Sequence, residues 1–278
     1  QMEVYIRCVK IYRSIFAFRH HESACMEDIM KNVLEYLEQS AQKYPDKIAV
    51  KDTTCAYTYE QLQKKARYIG SRLAKHTIPK HPVCVFADKS ADTLAVFFGI
   101  VYAGCFYTLV DPSFPEARIQ SMLSVLEPDV IVDGSSVPEK LAACGCMERV
   151  IRMETLVHGL KVECTNSEDT DSVVQTGRDG TTGPMNQQKE LCAVDEIDSG
   201  ETGYADRQMG LSEIENARLQ EIRESMIDTD PLYCNFTSGS TGTPKGVLVA
   251  HRSVIEFIDQ FTEIFDITKA DVIGNQAP

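Results

Sequence analysis

Residues 232–250 read LYCNF, then TSGSTGTPKG, then VLVA. Two short apolar runs of strand character flank ten residues made only of glycine, serine, threonine, one proline and one lysine. A phosphate cradle needs backbone N–H groups turned towards an anion, and glycine permits the backbone shapes that do this. Thr237, Ser238, Ser240 and Thr241 add hydroxyl donors, and Lys245 adds a compact cation suited to phosphate oxygens. Serine, threonine and glycine are also common in plain strand connections, but this density together with a lysine favours an anion site. A nucleotide-binding P-loop of the GxxxxGK[ST] type would have to open a helix. Here Lys245 stands between Pro244 and Gly246 and a strand-like run follows. That spacing disfavours a P-loop kinase or NTPase.

Upstream of this loop, apolar strands alternate with amphipathic helices. Val33, Leu34, Leu37, Ala41 and Tyr44 recur at helical spacing until Pro45 stops them. Residues 48–50 and 56–59 read as two short strands. Leu62, Ala66, Ile69 and Leu73 mark one face of a helix over 59–75. A wholly apolar strand, VCVFA at 83–87, precedes a buried-looking helix over 90–103, with Ser90 or Asp92 placed to cap it. Strands follow at 106–110, 129–133 and 149–152, with a Pro-rich turn at 111–115 and a helix at 116–126 between them. Residues 211–227 regain a helical pattern through Ile214, Ala217, Leu219 and Ile222. Such alternation predicts an α/β fold, with layered, parallel-rich sheets and helices on both faces.

The net charge of −13 sits almost wholly in one place. Residues 163–230 hold seventeen acidic and five basic side chains, and the remainder is near neutral. An acidic chain argues against general nucleic-acid binding and against docking to an anionic membrane, both of which need clustered Lys and Arg. Residues 163–210, rich in Ser, Thr, Asp, Gly and Gln, read as an acidic, disordered insertion that projects away from the anion loop. Arg7, Lys10, Arg13 and Arg19 break up the apolar start, so residues 1–29 read as an appendage and not as a signal peptide or spanning helix. The ten cysteines include no CxxC pair. Several lie in apolar runs (Cys84, Cys105, Cys234), as buried reduced thiols of a cytoplasmic protein would.

The stretch TSGSTGTPKGV at 237–247, with Tyr233 before it and His251 after it, resembles the phosphate-loop signature of the adenylate-forming superfamily. That superfamily contains acyl-CoA synthetases, luciferases and the adenylation domains of nonribosomal peptide synthetases. AGCFYTLVDPSFPEAR at 103–118 is similar to a second segment of these enzymes, departing from it at Cys105 and Leu109. Within that segment Asp111, Pro112 and Arg118 read as a turn held by proline and a charge pair. KNVLEYLEQSAQKYPDKIA at 31–49 and TYEQL at 58–62 are similar to the family's first helices, so the resemblance covers about 30–152 and 211–278. DPSFPEARI and the stretch IGNQAP at 273–278 look like the amino-acid-activating branch, which includes D-alanine–carrier-protein ligases.

The resemblance implies an ATP-dependent, AMP-forming ligase that joins a carboxylate, here an amino acid, to AMP and then passes the acyl group to a thiol of a phosphopantetheinyl carrier protein or CoA. Thr237, Ser238, Gly239, Ser240, Thr241, Gly242, Thr243 and Lys245 would hold the phosphates of ATP, with Mg²⁺ spreading the charge. For His251, capping or packing and a substrate role stand as alternatives. The adenine, ribose and late-lysine segments of such enzymes fall after residue 278, so the expected organisation is residues 30–162 and 211–278 as parts of one AMP-binding domain that continues further. No catalytic residue can be named within these 278. The competing expectation is a non-catalytic remnant that keeps the fold and a weak affinity for nucleotide.

Overall fold

The computed structural model describes residues 30–157, 211–237 and 244–274. The proposed appendage at 1–29 and the acidic insertion at 163–210 lie outside the described residues. The main sheet has six strands: β3 Pro82–Ala87, β4 Phe106–Val110, β5 Val130–Gly134, β6 Val150–Arg152, β7 Pro231–Thr237 and β8 Lys245–Ala250. Their order is β6-β5-β3-β4-β7-β8. All neighbours run parallel except β8, which returns antiparallel along β7. The two earlier strands, β1 Ile48–Lys51 and β2 Ala56–Thr58, form a separate antiparallel ribbon.

The strand β3 is apolar along its whole length, and β5 as far as Val132, because both of their faces are covered. Val83, Val85, Val130 and Val132 point into one core, built with helices α1 Leu34–Lys43, α2 Tyr59–Leu73 and α3 Ala91–Tyr102. Cys84, Phe86 and Ile131 point into the other, beneath α4 Glu116–Leu126 and the short α5 Glu139–Ala143. Full burial of a side chain such as Phe86 stabilises by about 2–3 kcal/mol. Cys84, Cys105 and Cys234 are buried free thiols, used as small apolar fillers as their apolar neighbours suggested. Burial pushes the Cys105 thiol up to about 11.

Local signals set the helix starts. Thr58 and Gln61 form a reciprocal capping box on α2, and the Ser90 hydroxyl accepts the Thr93 N–H at the start of α3. Asp92, the alternative cap, instead pairs with Lys65 at 2.7 Å. This pairing lets Lys65 sit on the buried stripe of α2 with only 4% exposure, its ammonium also donating to the Tyr57 hydroxyl. Helices α2 and α3 cross in close contact through glycine. A Cβ on Gly99 would stand 2.5 Å from Ile69 Cγ2.

Two short helices, α5 and α6 Met153–Val157, are too brief to leave a periodic signature in the sequence. After the acidic segment, α7 Glu213–Ser225 returns to the body, capped by a box between Ser212 and Glu215. Its buried stripe is Leu219 and Ile222, continued by Met226. Ile214, read from the sequence as part of that stripe, is 82% exposed. The reason is helical geometry: Leu219, Ile222 and Met226 share the face that packs into the main core, and Ile214, five residues before Leu219, stands about 140° round the helix. Lys75–Glu215 at 3.0 Å, Arg223–Glu38 at 3.1 Å and Arg67–Asn216 at 3.0 Å add polar ties. The last described helix is α8 His251–Ile264.

Candidate functional site

In a parallel sheet, ligands gather at the carboxyl ends of the strands, where successive crossovers leave in opposite directions. Here the chain leaves β3 towards β4 and leaves β5 towards β6, so the switch lies between β3 and β5. The N-terminus of α3 opens beside it and would offer a ready anion site. That place is already filled. Asp52, from the β1–β2 ribbon, accepts the Ala91 N–H at 2.7 Å together with the N–H groups of Thr54 and Cys55. Partial burial alone would raise its carboxyl, but these donors and the Thr54 hydroxyl hold it well below the usual carboxylate range. Asp133, at the end of β5, is likewise taken by Arg152 and by the amide and hydroxyl of Ser135. Nothing in the sequence announced Asp52 as a helix partner, since it stands 39 positions from Ala91.

Farther along the same edge stands the hairpin of β7 and β8. Phe236 faces Gly246 and Thr237 faces Lys245 across it, so the two ends of the Gly/Ser/Thr loop meet as neighbours. The Thr237 hydroxyl donates to the Lys245 carbonyl at 3.4 Å. Both residues are exposed. Ser238, Gly239, Ser240, Thr241, Gly242 and Thr243, the other members of the expected phosphate site, lie outside the described residues. Thr237 and Lys245 are thus brought together, and they bound the Gly/Ser/Thr loop at the carboxyl edge of β7.

The legs of the hairpin are set from both sides. On one face Tyr233 stacks on Tyr107 with centroids 5.9 Å apart, and Tyr107 stacks on Phe97 at 4.3 Å. On the other, Phe236 packs against the core beneath α4. Gly246 is needed for close approach, because a Cβ there would stand 2.9 Å from Cys234 Sγ. The outer strand β8 keeps Val247 and Leu248 largely exposed.

The base of the hairpin is tied by the turn at 228–230. The His251 N–H donates to the Asp230 carbonyl at 3.1 Å and the Arg252 N–H to the Asp228 carbonyl at 2.7 Å. These bonds satisfy two of the open amides at the start of α8. Lys80 pairs with Asp230 at 2.8 Å. The His251 ring is buried, and its Nδ1 accepts the Val33 N–H at 3.3 Å from the first helical layer, 218 positions away. Its neutral form therefore carries the proton on Nε2. Burial pushes His251 down to about 4, with Arg223 assisting and Asp230 and Asp228 opposing. Of the two alternatives for this residue, the geometry is that of packing: it joins α1, the root of β7 and the start of α8.

The Pro-rich turn at 111–115 follows β4. Asp111 accepts the Ser113 N–H at 2.7 Å. The Ser113 side chain and amide, then Lys140 and Lys89, lower its carboxyl. Arg118, expected to form the charge pair of this turn, lies instead over the Phe114 ring at 4.1 Å, and the cations near Asp111 are the two lysines. Among the described residues no group of three or more His, Cys, Asp or Glu side chains could hold a metal ion. Nor is any described helix long and apolar enough to cross a membrane.

Residues 37–278 match the model of the AMP-binding enzyme family. The cyclosporin synthetase of Tolypocladium inflatum is 33% identical over 226 residues, 80% of this chain and 1% of that protein. The D-alanine–D-alanyl carrier protein ligase of Staphylococcus aureus is 25% identical over 90% of this chain and 38% of its own length. The chain thus spans well under half of these relatives. Among solved structures, the N-terminal subdomain of Klebsiella oxytoca NpsA bound to 3-hydroxybenzoyl-AMSN aligns with a TM-score of 0.51 and 19% identity, over 81% of this chain and 42% of that one. VinN with L-aspartate aligns with a TM-score of 0.58 and 15% identity, over 88% and 55%. At such identities the structures speak for the fold alone.

Proposed function

The chain belongs to the AMP-binding enzyme family of adenylate-forming proteins, and from that premise we propose that it carries the phosphate-holding part of an ATP-dependent ligase that activates a carboxylate as an acyl-adenylate. The observation that carries this reading is the loop at 237–246 set on the β7–β8 hairpin, with Thr237 and Lys245 meeting at its mouth. Thr237, Ser238, Gly239, Ser240, Thr241, Gly242, Thr243 and Lys245 are assigned to the ATP phosphates. Hydroxyls and amides would hold the oxygens, and the exposed Lys245 would balance charge as it builds on the leaving pyrophosphate. The competing anion site at the α3 N-terminus is filled by Asp52, which supports placing the phosphates at the hairpin.

Mg²⁺ fits this arrangement as an ion carried by the phosphates, since the described residues offer the Thr237 hydroxyl and Lys245 there and no carboxylate cage. Bound in that way, it would neutralise phosphate charge. The kinship with peptide synthetases and a D-alanyl carrier protein ligase favours an amino acid as the carboxylate and a carrier-protein thiol as the acceptor. The test is ATP–pyrophosphate exchange over a panel of amino acids and aryl acids, using the protein from the whole reading frame that contains these residues. Exchange dependent on one carboxylate is the expected result. MgATP binding without exchange for any carboxylate would turn the assignment to a nucleotide-binding remnant, and no MgATP binding would defeat both.

A further inference from the structure

Helix α5 has five residues, yet two of them do distinct things. Leu141 is fully buried in the core beneath α4, among Val110, Ile119 and Met122. Lys140 beside it donates to the carbonyls of Pro112 at 2.6 Å and Phe114 at 3.3 Å. The turn cannot satisfy those two carbonyls by itself, because Pro112 and Pro115 have no N–H to offer. Its remaining amides are spent on Asp111, Ser113 on the carboxylate and Phe114 on the carbonyl. One lysine therefore closes the turn, and Leu141 fixes where that lysine starts from.

The turn stands at the same end of the sheet as the tip of the β7–β8 hairpin. β4 pairs with β7 at Tyr107 and Tyr233. Carried forward from that pair, the register sets Val110, the last residue of β4, level with Phe236, so Asp111 and Thr237 follow at the same end of the two strands. The two segments also rest on one support, since Phe114 of the turn and Phe236 of the hairpin pack on the same core. Helix α4, which the turn launches, lacks a side-chain cap and packs against β8. The position of the turn thus passes to the hairpin through α4 and Phe236.

We propose that Lys140 is a positioning residue for the phosphate loop, acting through the 111–115 turn; the proposal rests on the reading of 237–246 as the site for the ATP phosphates. The lysine touches no phosphate. It holds the wall against which the loop's two legs are registered.

The test uses the protein from the whole reading frame that contains these residues and two variants of it, Lys140→Met, which keeps the stem and removes the donors, and Lys140→Arg, which keeps donors for both carbonyls. Amide hydrogen exchange is followed without nucleotide. In Lys140→Met, exchange at 113–118 and at 236–237 and 245–247 is expected to rise about tenfold, with β5 and β6 unchanged and Lys140→Arg restoring most of the protection. In parallel, MgATP is titrated, and its Kd is expected to rise about fivefold to tenfold in Lys140→Met and to recover in Lys140→Arg. Faster exchange at the turn with none at the hairpin overturns the coupling. So does a uniform rise across the sheet with a matching fall in melting temperature, or failure of arginine to rescue. If the wild-type chain does not bind MgATP, the phosphate reading fails, while the exchange data still decide whether Lys140 positions the hairpin.

Discussion

The strands β3 and β5 and the hairpin β7–β8 belong to one sheet and obey the same period of two, but they are built for different ends. Both faces of β3 and β5 are covered, and Val83, Cys84, Val85, Phe86, Ile131 and Val132 are fully buried. The hairpin is covered at its base and opens at its tip, where Thr237, Lys245 and Gly246 are exposed. Close packing on two sides makes the first region the seat of stability and leaves little room for chemistry. The second region gives up burial and leaves the Thr237 hydroxyl and the Lys245 ammonium open, as the proposed phosphate site requires. A hairpin suits this because its two legs fix both ends of a glycine-rich loop at once.

The difference is broken most severely at Phe86. Phe86→Ala should lower unfolding free energy by about 3–5 kcal/mol in urea titration, because the cavity opens between β3 and α4 where collapse is hindered. A loss below about 1 kcal/mol would mean that the second core is not closely packed. His251 lies between the two regions and should make stability depend on pH. Its folded value of about 4 is below the ordinary 6.5, so between those limits the unfolded chain binds more protons. Stability therefore rises with pH across this window and is lost as pH falls through it. From pH 7 to pH 5 the loss from this group should be about 2 kcal/mol, and His251→Gln, which keeps an acceptor for the Val33 N–H, should show a shallower slope.

At the hairpin tip the signs reverse. Lys245→Ala should change unfolding free energy by less than about 0.5 kcal/mol while weakening MgATP binding about tenfold or more, as judged by titration calorimetry. A large stability loss with unchanged affinity would erase the distinction between the regions. The smallest effect is expected at Val247, 48% exposed on the outer strand. Val247→Ala should cost no more than about 0.5 kcal/mol and leave nucleotide binding intact.

Much of this was legible in the sequence because it depends on local order. The run VCVFA gave a strand buried on two faces, FYTLV gave its neighbour, Ser90 gave a cap, and the stripe Leu62, Ala66, Ile69, Leu73 gave the buried face of α2. The loop carried the resemblance, which the family match bears out, and its assignment to phosphate is a proposal. The face of α7 was misread because Ile214 was grouped with Leu219, although five residues along a helix set it about 140° away from the stripe that enters the core. Arg118 was misread because a charge pair is the nearest expectation for an arginine beside an aspartate, and the ring of Phe114 is nearer still.

By itself, then, the sequence determined the alternation of strands and helices, the buried thiols, the crowding of acidic residues into 163–230 and the family resemblance. These follow from periodicity and composition, which act over a few residues. Only the tertiary structure decided that Asp52 would occupy the α3 N-terminus, that His251 would receive the Val33 N–H, and that Lys140 would close the turn after β4. Each of these bonds joins groups far apart in the chain. Their partners are chosen by which orphan donors and acceptors packing leaves within hydrogen-bonding reach, and no local pattern encodes that choice.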